Sequence, residues 1–198
     1  MKRRSFISAA IASFGVLPFM SGAASALNEG RAKTLIDTLV ADINKVIASG
    51  KSEPSMYREF ERIFARYSDT SYISAYAMGN DGRRASSKQK SSFSKAFQGY
   101  IARKYGSRFR EFIGGQLEVK SVKKVKQWYE VKTLARLQGQ SPFDVTFHVS
   151  DRSGKDLFFN MYIEGINLLL TERTEVGALI DRNGGDIDKM IKALKSAS

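Results

Sequence analysis

The chain has 198 residues, 32 basic and 20 acidic side chains and a formal charge of +12, so it is a basic protein with enough length for one well-filled core. It contains no cysteine, which excludes disulfides, thiol catalysis and thiolate metal sites. The basic surplus calls for anionic partners without specifying any of them.

Lys2, Arg3 and Arg4 precede an apolar run from Phe6 to Met20, and small residues lead to Ala24-Ser25-Ala26. This is the pattern of a cleaved export signal, and the run is shorter than the ~20 apolar residues that a spanning helix needs. Arg3-Arg4-Ser5-Phe6-Ile7 resembles a twin-arginine signal, but Lys2 and Ser8 are not its usual flanks, so the twin-arginine and general secretory routes both stay open. Cleavage after Ala26 predicts a single mature domain, 27–198, whose formal charge falls to +9 because residues 1–26 hold three basic and no acidic side chains. For an exported bacterial protein, the polyanions at hand are phospholipid head groups and acidic proteins, not nucleic acid.

Along the mature chain, Leu35, Ile36, Leu39, Val40, Ile43, Val46 and Ile47 return to one face of a helix that stops by Gly50. Ser52-Glu53-Pro54 opens a second helix with Met56, Tyr57, Phe60, Ile63, Phe64 and Tyr67 on one stripe. A short third helix runs from about Asp69 to Met78. Ser86 and Gln89 form a capping-box pattern ahead of a long helix bearing Phe93, Phe97, Tyr100, Ile101 and Tyr105, and Phe109, Phe112 and Ile113 extend the aromatic supply. After Gly114-Gly115 the period changes to two. Strands are expected at about Leu117–Val122, Trp128–Leu137, Phe143–Ser150 and Asp156–Glu164, joined by short turns as an antiparallel meander. A helix capped by Thr171 or Thr174 then ends at Asn183-Gly184-Gly185, and a last one runs from Asp186 to about Lys195. Helices, then strands, then helices predict an α+β fold.

Catalytic motifs are missing: the sequence has no nucleophile elbow, no phosphate-binding glycine loop and no His-Glu-x-x-His, and the single histidine, His148, reads as an exposed or edge residue of a strand. Asp186, Asp188, Glu172 and Glu175 read as helix-terminal charges and not as metal ligands. No catalytic or metal site is therefore assigned. Lys120, Lys123, Lys124, Lys126 and Lys132 interleave with valines as the wet face of a sheet does, and they double as a candidate electrostatic surface. The large aromatic supply suits either a dense core or helices held off a sheet around an apolar cavity.

Ile163-Glu164-Gly165-Ile166-Asn167-Leu168-Leu169-Leu170-Thr171-Glu172-Arg173-Thr174-Glu175-Val176-Gly177, followed by Gly184-Gly185 and Ile187 to Leu194, resembles the MlaC family of periplasmic phospholipid-binding proteins that maintain outer-membrane lipid asymmetry. Asn160 stands where that family more often has aspartate, Asn167 where it has serine, and Gly82-Arg83-Arg84 lacks the family's tryptophan. The resemblance implies a twisted antiparallel sheet of about four strands wrapped by amino- and carboxy-terminal helices around an apolar lipid pocket, with a shape like nuclear transport factor 2. It implies a monomeric, non-enzymatic periplasmic carrier with phospholipid as cargo and no cofactor. Its partners would be an inner-membrane ABC transporter with a substrate-binding ring and an outer-membrane lipoprotein-porin complex. For the pocket wall, shared stripes and the alternating strand face select Phe60, Ile63, Phe64, Phe93, Phe97, Ile101, Val131, Val145, Phe147, Met161 and Ile163. Two readings compete with the carrier: a basic adaptor without ligand, and an isomerase-type enzyme on a similar cone-shaped fold, which would need an acid or base inside the cavity.

Overall fold

A computed structural model describes residues 26–106, 115–137 and 139–197; residues 1–25, which hold all but the last residue of the expected export signal, with Phe109, Phe112 and Ile113, lie outside the described residues. Four helices come first: α1 (Glu29–Ile47), α2 (Glu53–Tyr67), α3 (Thr70–Met78) and, after a 3-10 turn at Gly79–Arg83, α4 (Ser87–Gly106). Each start has a local cause. The Asn28 side chain accepts from the Arg31 amide, and Pro54 stands in the first turn of α2, where its missing N–H is no loss. At α4 the capping box is reciprocal, with Gln89 N–H donating to Ser86 Oγ at 3.2 Å and Ser86 N–H donating to Gln89 Oε1 at 2.9 Å.

The strands β1 (Gln116–Val125), β2 (Trp128–Arg136), β3 (Phe143–Ser150), β4 (Leu157–Ile163) and β5 (Ile166–Asn167) form one antiparallel sheet in chain order. The meander is as expected, with two differences. β1 runs three residues further, to Val125, because Val125 pairs with Trp128 across a two-residue turn in which Lys126 takes φ 53°, and the strand is bulged between Val119 and Ser121. The additional strand β5 is only two residues long and folds back on β4 through Glu164 and Gly165, both at positive φ. At its other end β4 meets the α2–α3 junction, where Ser68 bridges Phe158 in parallel and the Asp69 amide donates to Phe158 O at 2.8 Å.

The last two helices are α5 (Leu168–Arg182) and α6 (Ile187–Ser196). The α5 cap is Asn167, whose side chain accepts from the Leu170 amide, and not Thr171 or Thr174. Those two hydroxyls donate instead to the carbonyls one turn back, at Asn167 and Leu170. Asp186 caps α6 by accepting from the Lys189 amide, with Asp188 in the first turn.

Alternation along β2 and β3 buries Tyr129, Val131, Thr133 and Ala135, then Val145, Phe147 and Val149, on the face that joins the helices in one core. Over that face α1 packs on β1 and β2, α2 bridges α1 and α4, α3 joins α4 and α5, and α6 closes against α4 and α5. The result is the expected α+β class, with helices from both ends of the chain wrapped around one sheet face. Among the described residues, no helix is long and apolar enough to cross a membrane.

Candidate functional site

Helices and sheet do not close on each other everywhere. Between them lies a cavity of about 410 Å³. Its sheet wall is Val145 and Phe147 on β3 with Phe158, Met161 and Ile163 on β4; its helical walls are Leu39 and Ile43 of α1, Phe60, Ile63 and Phe64 of α2, and Ile101 of α4. Leu168 and Leu169 of α5, with Ile73, Ala102, Leu117, Leu137, Phe143 and Phe159, complete the apolar lining. Aromatic edges brace the sheet side, where the Phe158 ring meets Phe147 at 5.6 Å and Phe64 at 6.0 Å, both edge to face. Ile63, Phe64, Ile101, Met161 and Ile163 sit on core-facing stripes yet stay only partly buried. Residues bordering a hollow have that property, since part of their surface meets space and not atoms.

Eight of the eleven residues selected from sequence therefore line this one cavity: Phe60, Ile63, Phe64, Ile101, Val145, Phe147, Met161 and Ile163. The structure places Phe93, Phe97 and Val131 elsewhere. Phe93 and Phe97, one turn apart on α4, stack at 5.5 Å and are 1% and 0% exposed, with Tyr100 continuing the row at 6.1 Å from Phe97. Neither lines the cavity; Phe93 borders a separate hollow between α3 and α4, and Phe97 is wholly enclosed. Val131 faces inward on β2 and is fully buried, but it is not among the residues that line the cavity.

One part of the wall is polar. On α5 the buried stripe Leu169, Val176 and Ile180 has Glu172 in its middle, only 2% exposed. Glu172 Oε1 accepts from Lys104 Nζ at 2.8 Å and from the Tyr105 hydroxyl, so α4 and α5 are tied together beside the cavity. Glu172 Oε2 is buried without a hydrogen-bond partner. Glu175, one turn outward, takes the Tyr100 hydroxyl at 2.6 Å and the other side of Lys104. Burial alone would raise the Glu175 carboxyl, but hydrogen bonds from Lys104 and Tyr100 and the lysine charge outweigh it and hold it below the usual carboxylate range. Burial, reinforced by that bond to Glu175, pushes the Tyr100 phenol far up. Neither glutamate is the helix-terminal charge that sequence suggested, because Asn167 already caps α5 and both carboxylates face lysine and tyrosine partners on α4. Opposite, Asn160 Oδ1 accepts from the amides of Met161 and Leu169, anchoring the start of α5 to β4.

His148 differs from expectation. It sits mid-sheet on β3, its side chain only 12% exposed, ringed by Trp128 at 6.0 Å, Phe159 at 5.7 Å and Tyr162 at 4.9 Å. It points to the sheet face away from the cavity, in line with Thr146, and so offers no base to the hollow. Burial lowers its pKa below 6.5, against the pull of Glu130 at 3.4 Å. A histidine depressed in the folded state binds fewer protons there than in the unfolded chain, so its stabilising contribution is present above about pH 6.5 and is lost as pH falls through the folded pKa. Denaturation midpoints of the wild type should drop on acidification below pH 6.5, and His148→Phe should flatten that limb; equal slopes in both proteins would dismiss the assignment.

A family model described as MlaC protein matches residues 33–196. Among solved structures, a phospholipid-binding protein from Ralstonia solanacearum, determined in complex with a phospholipid, superposes with a TM-score of 0.71 at 16% identity, over 82% of this chain and 94% of that one. At that identity the likeness speaks for the fold. The comparison with curated proteins returned no match.

Proposed function

Because the chain belongs to the MlaC family, we propose that it is a phospholipid carrier that works in the periplasm and holds acyl chains in the cavity between its sheet and its helices. The observation that carries this reading is the apolar hollow itself. A core this rich in phenylalanine and leucine has no reason to leave about 410 Å³ unfilled, since unfilled volume forfeits packing, unless something occupies it. The phospholipid named with the Ralstonia structure is consistent with a lipid in that role.

The energetics explain why such a carrier needs no catalytic group. Exposing a methylene costs ~0.8 kcal/mol, so a chain of about 15 methylenes loose in water would cost roughly 12 kcal/mol, and free diffusion of lipid is blocked. A bilayer hides the same chain as well as the cavity does. Net affinity over the membrane is therefore small, and partners that favour an open state set the direction of transfer. A ligand-free adaptor would gain nothing from the hollow. An isomerase-type enzyme would need an enclosed group free to move protons, whereas of the two carboxylates in the lining Glu172 is tied to Lys104 and Tyr105 and Glu164 is exposed on the β4–β5 turn.

Mass spectrometry of the purified protein under native conditions tests the reading: the expected result is one phospholipid retained per chain. Protein that is lipid-free as isolated and takes up none from vesicles would refute it. We further propose that the carrier meets an inner-membrane ABC transporter with its substrate-binding ring and an outer-membrane lipoprotein-porin complex, with the lysines of β1 and β2 contributing to docking. Exposed charges are screened beyond about 10 Å at 0.1 M salt, so association with both complexes should weaken several-fold between about 0.05 and about 0.5 M salt. Salt-independent binding, measured by surface plasmon resonance, would remove the lysines from that role.

A further inference from the structure

The expected export signal ends one residue before the core begins. Ala26 is exposed, whereas Leu27 is 9% exposed and belongs to the core cluster. The backbone of Leu27 is held as well: its N–H donates to Asp151 Oδ2 at 3.0 Å, and its carbonyl accepts from the Tyr129 hydroxyl of β2 at 3.3 Å. Asp151 follows β3 and opens the tight turn toward β4, where the Gly154 amide donates to Asp151 O at 2.9 Å and Gly154 takes φ 81°. A fixed turn therefore holds a carboxylate on the first backbone nitrogen of the core. Among the described residues, no basic side chain pairs with that carboxylate.

We propose that removal of the signal after Ala26 turns the Leu27–Asp151 hydrogen bond into an ion pair, which locks the start of the mature chain onto the β3–β4 turn and makes the processed protein more stable than its precursor. Hydrolysis of the Ala26–Leu27 bond consumes one water: the hydroxyl goes to the Ala26 carbonyl carbon, one hydrogen goes to Leu27 N, and the proton of the new acid passes to the same nitrogen. A carboxylate leaves with the signal and an ammonium stays on Leu27. An α-amino group has an ordinary pKa of about 7.7–8.0, so at neutral pH it is mostly charged. Leu27 stands just before Asn28, the N-cap of α1, and a positive charge at a helix N-terminus is repelled by the helix dipole. Asp151 supplies the opposing charge at hydrogen-bond distance, where ionised partners bond more strongly than neutral ones. The inference rests on cleavage after Ala26 and is independent of what the cavity carries.

The test begins with the protein as cells export it, purified and sequenced from its N-terminus. Leu27 is expected in first place; any other first residue overturns the proposal and leaves the carrier reading intact. Thermal melting at neutral pH in about 0.05 M salt, where charges are weakly screened, then compares four proteins: the mature chain, the same chain with Ala24-Ser25-Ala26 retained ahead of Leu27, and the Asp151→Asn variant of each. Asparagine keeps an oxygen for the Leu27 N–H and removes only the charge, so all four should fold. In the mature chain Asp151→Asn should lower the melting midpoint by roughly 2–4 °C, as the loss of one good ion pair does in a chain of this size. With the three residues retained, the ammonium is carried away from Asp151 and the drop should be about half that or less. Raising the salt to about 0.5 M should shrink the larger drop and leave the smaller one nearly unchanged. Equal drops in the two backgrounds, or none in either, would mean that the carboxylate serves only a neutral amide bond, and overturns the proposal. So does a mature chain that melts no higher than the one with Ala24-Ser25-Ala26 retained.

Discussion

Phe147→Asp is expected to yield a folded protein that purifies without lipid. Phe147 is 3% exposed, but it borders the hollow and meets the Phe158 ring at 5.6 Å, so an aspartate there projects toward open volume and not into solid packing. The cavity of about 410 Å³ has room for several waters, each of which takes about 30 Å³ in the liquid, and hydration keeps the new carboxylate from being a buried, unpaired charge. Lost ring contacts should lower stability by about 3 kcal/mol, at the low end for a phenylalanine truncation. For acyl chains the change is prohibitive, because they would have to lie against a charge and strip its water. Circular dichroism and thermal melting, read beside lipid mass spectrometry, decide the outcome. A chain that fails to fold would make Phe147 ordinary core, and a folded variant with undiminished lipid would remove it from the binding wall.

Phe97→Ala should do the reverse: a loss of about 3–5 kcal/mol in unfolding free energy, with wild-type lipid content in whatever remains folded. Phe97 is fully buried in the stacked row Phe93, Phe97 and Tyr100, away from the cavity, so truncation opens a void within the helical layer and leaves the wall intact. Urea unfolding with an unchanged slope and a lower midpoint would fit. Lipid loss at full stability would place Phe97 in the wall after all.

The contrast between these two residues marks how far the sequence could be read. Phe97 and Ile101 belong to the same α4 stripe, one turn apart, and periodicity assigns both to the inner face. What separates them is the neighbour each meets: solid core for Phe97 and the gap between α4 and the sheet for Ile101. That is decided by how far apart layers settle, a tertiary quantity with no local signature. Element order, the capping box at Ser86 and the strand alternation were legible because their causes are local. β5 was not, since two residues carry no period, and the Asn167 cap was hidden by two threonines that looked equally able. Glu172 left a readable trace: a charged residue in the middle of an apolar 3.6-residue stripe needs a partner, although nothing in the spacing named Lys104 and Tyr105 as that partner. Asn160 and Asn167, where the chain departs from the family pattern, both supply oxygen acceptors to the start of α5, so the chemistry survives the change of residue.

The bulged first strand has a consequence for crowding. A five-stranded open sheet has two edges whose free N–H and C=O groups can recruit another copy, and a carrier of the kind proposed can ill tolerate such recruitment. At β4 the edge is occupied at one end by Ser68 and at the other by β5. At β1 the ten-residue edge has no partner strand among the described residues, but it is interrupted between Val119 and Ser121 and carries the exposed Lys123 and Lys124. A second β1 laid alongside would bring lysines to within about one strand spacing, ~4.8 Å, of their own kind. Replacing both with threonine would leave the fold in place and remove the repulsion, and the sheet would then be free to grow from molecule to molecule.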